Sequence, residues 1–125
     1  MRNYKQEPDG SFTLLVSKKI TQQDIDDIMS TALEGGINYW CCKAEVAESQ
    51  YYGEYASDQI SRGGSLILYD AESDEFWRLT LDKLMRGITK AIESGYVASD
   101  NLDDWDAADA DAIVQCGLFG DLVFG

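Results

Sequence analysis

Apolar residues recur at helical spacing in two clear stretches of the chain. In "TQQDIDDIMSTALEGG" Ile25, Ile28, Met29, Ala32 and Leu33 fall on one stripe of a helix. Thr21 stands at the N-cap, with Asp24 three residues on in the capping-box position. Gly35 and Gly36 end the helix, one of them expected in the left-handed conformation. In the second stretch Thr80 caps a stripe of Leu81, Leu84, Met85, Ile88, Ala91 and Ile92, and Gly95 stops it. A third helix is expected within "DDWDAADADAIVQCG", capped by Asp103 or Asp104, with Trp105, Ala108, Ala112, Ile113 and Cys116 on one side. The closing "GLFGDLVFG" is apolar and is expected to be buried.

Strand signals are shorter. "SFTLLVSKKI" follows the turn "PDG" and is expected as a strand. "SLILYD" and "EFWRLTL" flank "AESD" and predict a β-hairpin, with Leu66, Leu68 and Phe76 on its buried face. "INYWCCKAEV" fits a strand or the approach to a helix, with Tyr39 and Trp40 anchoring against the first helix; the region 43–65 has no assignable pattern. The order β–α–irregular–β–β–α–α predicts an α+β fold, a small antiparallel sheet packed against about three helices in a single domain over 1–125.

Charge changes this picture. With 23 acids, 10 bases and no histidine the chain carries −13 at neutral pH, beyond the magnitude of roughly 2–8 usual for a small domain. Such a field repels nucleic acid and anionic membranes and attracts cationic partners. Lacking histidine, the chain has no Ser–His or Cys–His nucleophile, and the expectation is a protein that is not an enzyme. Cys41, Cys42 and Cys116 lack zinc-ligand spacing and are expected as reduced core residues. No apolar leader opens the chain and no long apolar run interrupts it, so the expected location is the cytosol.

The acidic stretch "DDWDAADADA" resists two metal and phosphate readings. An EF-hand loop started at Asp104 fails at its third ligand, Ala108, at the glycine position, Asp109, and at the closing glutamate, Gln115. "SRGGS" lacks the spacing of a phosphate-binding loop, and the scattered bases make no pocket for a signalling nucleotide. No cofactor and no metal are expected. Asp24, Asp26 and Asp27 have a sufficient role at a helix start, where the dipole favours anions. Helix capping does not use all the acids after residue 100.

The stretches "ALEGG-x-NYW" (Leu33 to Trp40 at its close) and "DAxxAD-x-IVQ-x-x-x-FG-x-x-V-x-G" (Asp106 to Gly125), with "RLTLDKLMRGITKAIESG", resemble a family of small acidic proteins from phages and mobile elements of Gram-positive gut bacteria. That family includes an anti-CRISPR protein that inhibits a type II-A Cas9. The resemblance covers about half the chain and implies a partner, Cas9 or a Cas9–guide RNA complex, bound in the bacterial host cytosol as an acidic DNA mimic that blocks target DNA. Cas9 holds its heteroduplex in a positively charged channel, which a compact anion could enter. Candidate partner-binding residues are then Asp100, Asp103, Asp104, Trp105, Asp106, Asp109 and Asp111, with Tyr51, Tyr52 and Tyr55 as aromatic anchors. Substituting Asn at 103, 104, 106 and 109 is expected to leave folding nearly intact. Direct nucleic-acid binding and membrane binding are not expected; a homodimer stays open. The alternative is an inhibitor of another cationic host-defence or DNA-binding protein, such as a restriction enzyme or repressor.

Overall fold

The computed structural model describes residues 3–47, 51–98 and 102–125. The fold is α+β, with two small antiparallel sheets and helices gathered over one core. Helix α1 spans Gln22–Thr31. Its capping box forms as the sequence dictates: the Asp24 N–H donates to Thr21 Oγ1 at 3.1 Å, and the Thr21 N–H donates to Asp24 Oδ2 at 2.9 Å. Neither Gly35 nor Gly36 takes a left-handed conformation. The helix instead widens into a π turn, Ala32–Gly36, in which the Ile37 N–H reaches back to the Ala32 carbonyl at 3.1 Å.

The central sheet has the order β3-β4-β5, from Cys41–Val46, Leu66–Asp70 and Phe76–Leu79, all antiparallel. Leu66 pairs with Leu79 and Leu68 with Trp77. These four side chains share the core face. Phe76 lies one position out of phase and is exposed, contrary to the sequence expectation. A bulge between Cys41 and Lys43 turns Cys42 outward, so Cys41 and Cys116 are core thiols and Cys42 is not.

The expected strand over 11–20 is shorter. β1, Tyr4–Gln6, and β2, Phe12–Leu14, form a separate two-stranded hairpin, and residues 15–20 run on without a strand partner.

Helices α2, Leu81–Glu93, and α3, Ala107–Phe119, form the largest packing contact of the molecule. Their backbones touch at Gly87 and Gly117: a Cβ built on Gly87 would lie 2.2 Å from the Ile113 carbonyl oxygen, and one on Gly117 would lie 2.5 Å from that of Lys83. Helix α3 also packs on α1, the π turn and β5. That encirclement explains why no single apolar stripe describes it. Ala110 and every residue from Ala112 to Cys116 are buried, while Ala108 is exposed.

The end of the chain folds back. Trp40 is 2 % exposed and stacks on Phe124 with centroids 5.0 Å apart, while Phe119 stands edge-on to Trp77 at 5.0 Å. Trp40 is thus an anchor for the tail and α3, within the same core cluster as the buried face of α1. Leu118, Phe119 and Phe124 pack on the core; Leu122 and Val123 stay exposed. Gln115, fully buried, locks this arrangement. Its Oε1 accepts the N–H groups of Val123 and Phe124, each at 2.8 Å, and its Nε2 donates to Asp111 Oδ1 at 2.9 Å.

Candidate functional site

The acids after residue 100 divide by duty. Asp106, and not Asp103 or Asp104, caps α3. Its Oδ1 accepts the Asp109 N–H at 3.0 Å, and the Asp106 N–H donates to Asp109 Oδ2 at 2.9 Å. Asp109 therefore sits in the first turn, where its charge complements the helix dipole. Asp111 is taken up inside: Oδ1 accepts Trp40 Nε1–H at 2.7 Å and Oδ2 accepts the Tyr39 hydroxyl at 2.5 Å. It orients the Trp40 ring that supports the tail. Three of the expected binding aspartates thus have structural work. Asn at 106 and 109 keeps a side-chain oxygen for the cap, whereas Asp106→Ala removes it and is expected to cost about 1 kcal/mol. Asp103 and Asp104 are exposed on a 3₁₀ turn just before the helix. Asp100 lies outside the described residues.

Tyr39 carries the signature of this network. Desolvation of its hydroxyl, with the hydrogen bond and charge of Asp111, pushes its pKa up to about 12. Neutral Tyr39 is favoured in the folded chain. Its contribution to stability is whole below the ordinary tyrosine range and is lost as pH rises through about 12. In an alkaline absorbance titration Tyr39 should ionise late among the seven tyrosines, and its part of the late phase should be lost in Tyr39→Phe. Tyr96, whose hydroxyl donates to Asp121 at 2.6 Å, is raised as well.

Trp105 is half-buried, and its Nε1–H donates to the Ala98 carbonyl at 2.6 Å. With that edge fixed, the ring lines a groove of about 330 Å³ together with Leu102, Asp103, Asp24, Asp27 and Ser30. The opposite flank of α1 forms a second groove, about 340 Å³, from Ser30, Leu33, Glu34, Tyr55, Ala56 and Ser57. Ser30 belongs to both. Tyr55 and the residues 102–105 are therefore joined across α1 into one face.

The tyrosine loop is rigidly held. Buried Gln59 accepts the Tyr52 N–H at 2.7 Å and donates to the carbonyls of Tyr52 and Tyr55 at 2.9 and 2.8 Å. Asp58 Oδ2 accepts the N–H groups of Glu54 and Tyr55 at 3.1 and 3.0 Å. Gly53 sits at φ +93°, and a Cβ there would lie 2.7 Å from that of Asp58, so the turn requires glycine. Tyr51, Tyr52 and Tyr55 are 58 %, 39 % and 62 % exposed. Their loop is ordered by its backbone bonds, and their side chains are left to solvent.

Between the grooves runs an acidic ridge. Asp24, Asp27, Thr31 and Glu34 lie three or four residues apart along one line of the helix and its π extension. Asp26, on another side, accepts Ser61 Oγ–H at 2.6 Å and pairs with Arg62 at 3.6 Å. Among the described residues no Lys or Arg pairs with Asp24, Asp27 or Glu34. Sequence reasoning gave Asp24 and Asp27 to the helix dipole and assigned Glu34 no role. Their spacing opposite the apolar stripe was the available signal that they also form a surface. Chemically, carboxylates beside aromatic rings accept ammonium and guanidinium groups.

Among the described residues no helix is long and apolar enough to cross a membrane, and no cluster of three or more potential metal ligands forms. Comparison with protein families, curated proteins and solved structures finds no match to this chain.

Proposed function

We propose that this chain is a non-enzymatic inhibitor that acts in the host cytosol by binding a cationic protein surface, and that its partner is a type II Cas9 effector. The observation that carries the reading is the α1 ridge: carboxylates with no Lys or Arg partner among the described residues, flanked on one side by Trp105 and on the other by Tyr55, in a chain of net charge −13. Long-range charge supplies encounter rate and register. The aromatic grooves supply desolvated anchors for arginine or lysine side chains. The choice of Cas9 among cationic proteins rests on the sequence resemblance. Its nucleic-acid channel offers the basic surface such a ridge complements, and occupancy of that channel would exclude target DNA.

The deciding experiment is target-DNA cleavage by a panel of type II Cas9–guide complexes with the protein added. The expected result is loss of cleavage by at least one of them, relieved as ionic strength rises. Full cleavage throughout the panel removes Cas9 and leaves another cationic host-defence or DNA-binding protein as the target class. Within a positive pair, Tyr55→Ala should weaken binding about tenfold without altering the melting temperature, since the side chain is exposed and the loop is held by its backbone.

A further inference from the structure

The two outer edges of the central sheet differ. The Asp70 N–H donates to the Glu75 carbonyl at 2.9 Å, and the Ala47 N–H donates to the Ser65 carbonyl at 3.0 Å. With the register of the three strands, these bonds fix which way each backbone group points. On β4, residues 66, 68 and 70 face β5, and residues 67 and 69 face β3. On β3, Lys43 and Glu45 then face β4, and the N–H and C=O groups of Ala44 and Val46 point out of the sheet. On β5 the outward carbonyl of Arg78 is covered, because Lys83 Nζ donates to it at 2.7 Å. A lysine there guards an edge strand against further pairing. β3 has no such guard: among the described residues nothing bonds the outward groups of Ala44.

This open edge lies along a groove of about 540 Å³. Lys43 and Ala44 both line it, although their side chains point to opposite faces of the sheet, so the backbone edge between them faces the groove. The facing wall is Leu33, Ile37 and Asn38, from the π turn and the residues after it, with Ala56 from the 3₁₀ turn Ala56–Asp58. The charge of Lys43 is directed elsewhere: its Nζ pairs with Glu45 at 2.9 Å and lies over the Tyr69 ring. Leu33 and Ala56 also line the groove that holds Glu34 and Tyr55, so the slot is continuous with the acidic ridge. Its occupant must offer an extended backbone to Ala44 and bases to the ridge. A second copy offers neither, since its β3 edge is walled by its own π turn and each chain carries −13.

We infer that an extended segment of the cationic partner adds to the outer edge of β3 as a fourth strand, its backbone bonded to Ala44 and its basic side chains reaching the α1 ridge. The partner's cationic character rests on the reading proposed above; the strand addition rests on the geometry of the sheet. In this mode main-chain bonds give affinity and alternate side chains give selection. Leu33, Ile37 and Ala56 favour aliphatic side chains in the segment, alternating with the bases.

Two peptides of alternating arginine and valine, each about eight residues long, test this. They carry equal charge, and one is N-methylated at every residue. In the free chain the Ala44 amide should exchange faster than those of Lys43 and Glu45, which are bonded to β4. The unmethylated peptide should slow exchange at Ala44 about tenfold or more, and the methylated one should not. Ala44→Pro removes an outward N–H and no bond to β4, and should weaken binding of the unmethylated peptide about tenfold. Ala56→Trp fills the slot from the facing wall, leaves β3 unaltered and should have the same effect. Equal binding of the two peptides overturns the inference, as does unchanged exchange at Ala44 with the unmethylated peptide bound. Protection of Ala44 by that peptide, with no Cas9 of the panel bound, upholds strand addition and removes Cas9 as the partner. Salt-sensitive binding of a Cas9 that leaves Ala44 unprotected upholds the ridge and overturns strand addition.

Discussion

Gly87→Ala is expected to lower the stability of this protein by about 3 kcal/mol or more, although alanine is the better helix former by roughly 1 kcal/mol. The reason lies in the α2–α3 contact. The added methyl would stand 2.2 Å from the Ile113 carbonyl oxygen, 2.7 Å from the Gly117 nitrogen and 2.9 Å from the Gly117 Cα. All three are backbone atoms of α3, and none can swing aside as a side chain would. Relief requires the two helices to separate, which loosens Leu84 and Ile88 on α2 and Ile113 and Cys116 on α3 together. Gly117→Ala should act similarly, through the Lys83 carbonyl at 2.5 Å. Gly35→Ala, where a Cβ meets nothing within 4 Å, is the matched control and should be close to neutral. Thermal unfolding of the three variants decides it, with a fall of roughly 10 °C expected for Gly87→Ala and little change for Gly35→Ala. Equal melting temperatures for Gly87→Ala and the wild type would refute the close packing.

Gln115→Leu is expected to cost about 2–4 kcal/mol and to free the end of the chain. Leucine matches the volume but offers no acceptor to the Val123 and Phe124 N–H groups and no donor to Asp111. Without those bonds the tail loses its tie to α3, and Phe124 leaves its stack on Trp40. Amide exchange should therefore accelerate at Val123 and Phe124 more than in α1, and tryptophan emission should change as the Trp40 face opens. Gln115→Glu should be worse at neutral pH, since it sets a second buried carboxylate beside Asp111, and should recover stability on acidification as one carboxyl takes a proton. If Gln115→Leu leaves both exchange and melting temperature unaltered, the tail is held by its aromatic contacts alone.

Legibility of the fold from sequence followed the range of the interactions involved. Thr21 and Asp24 announce α1 because a capping box is a local pattern, and Thr80 and Gly95 bound α2 for the same reason. The β4–β5 hairpin was visible in its alternation, yet its face was misread by one residue at Phe76, since Trp77 and Leu79 are as apolar and only the pairing with Leu68 and Leu66 decides. The start of α3 was placed too early. "DDWDAAD" offers several aspartates at capping spacing, and the reciprocal Asp106–Asp109 pair is the one that places Ala110 to Cys116 in the core. The loop 51–55 had no periodic signal because its order comes from Gln59, a buried polar side chain whose partners are backbone groups seven and four residues away.

The site was half legible. Its charge and its aromatic residues stood out in composition and in "DDWDAADAD". The division of that stretch into capping acids, a core-facing Asp111 and an exposed pair needed three-dimensional partners. The contribution of Asp27 was hidden because a helix start already explains acidic residues near it, and Glu34, at the other end of the helix, belonged to no pattern the sequence singled out.

The central claim is that exposed carboxylates of the α1 ridge and of the turn before α3, and not those engaged in capping, bind a cationic partner. Its most direct test is the affinity of a guide-loaded type II Cas9 for the wild-type chain and for Asp27→Asn, Glu34→Gln, Asp103→Asn and Asp104→Asn combined, titrated at low and high salt. The account predicts salt-sensitive binding by the wild type, weakened about tenfold or more in the variant at low salt, with the variant's melting temperature within a few degrees of the wild type. Equal affinity of the two chains, with both folded, would contradict it.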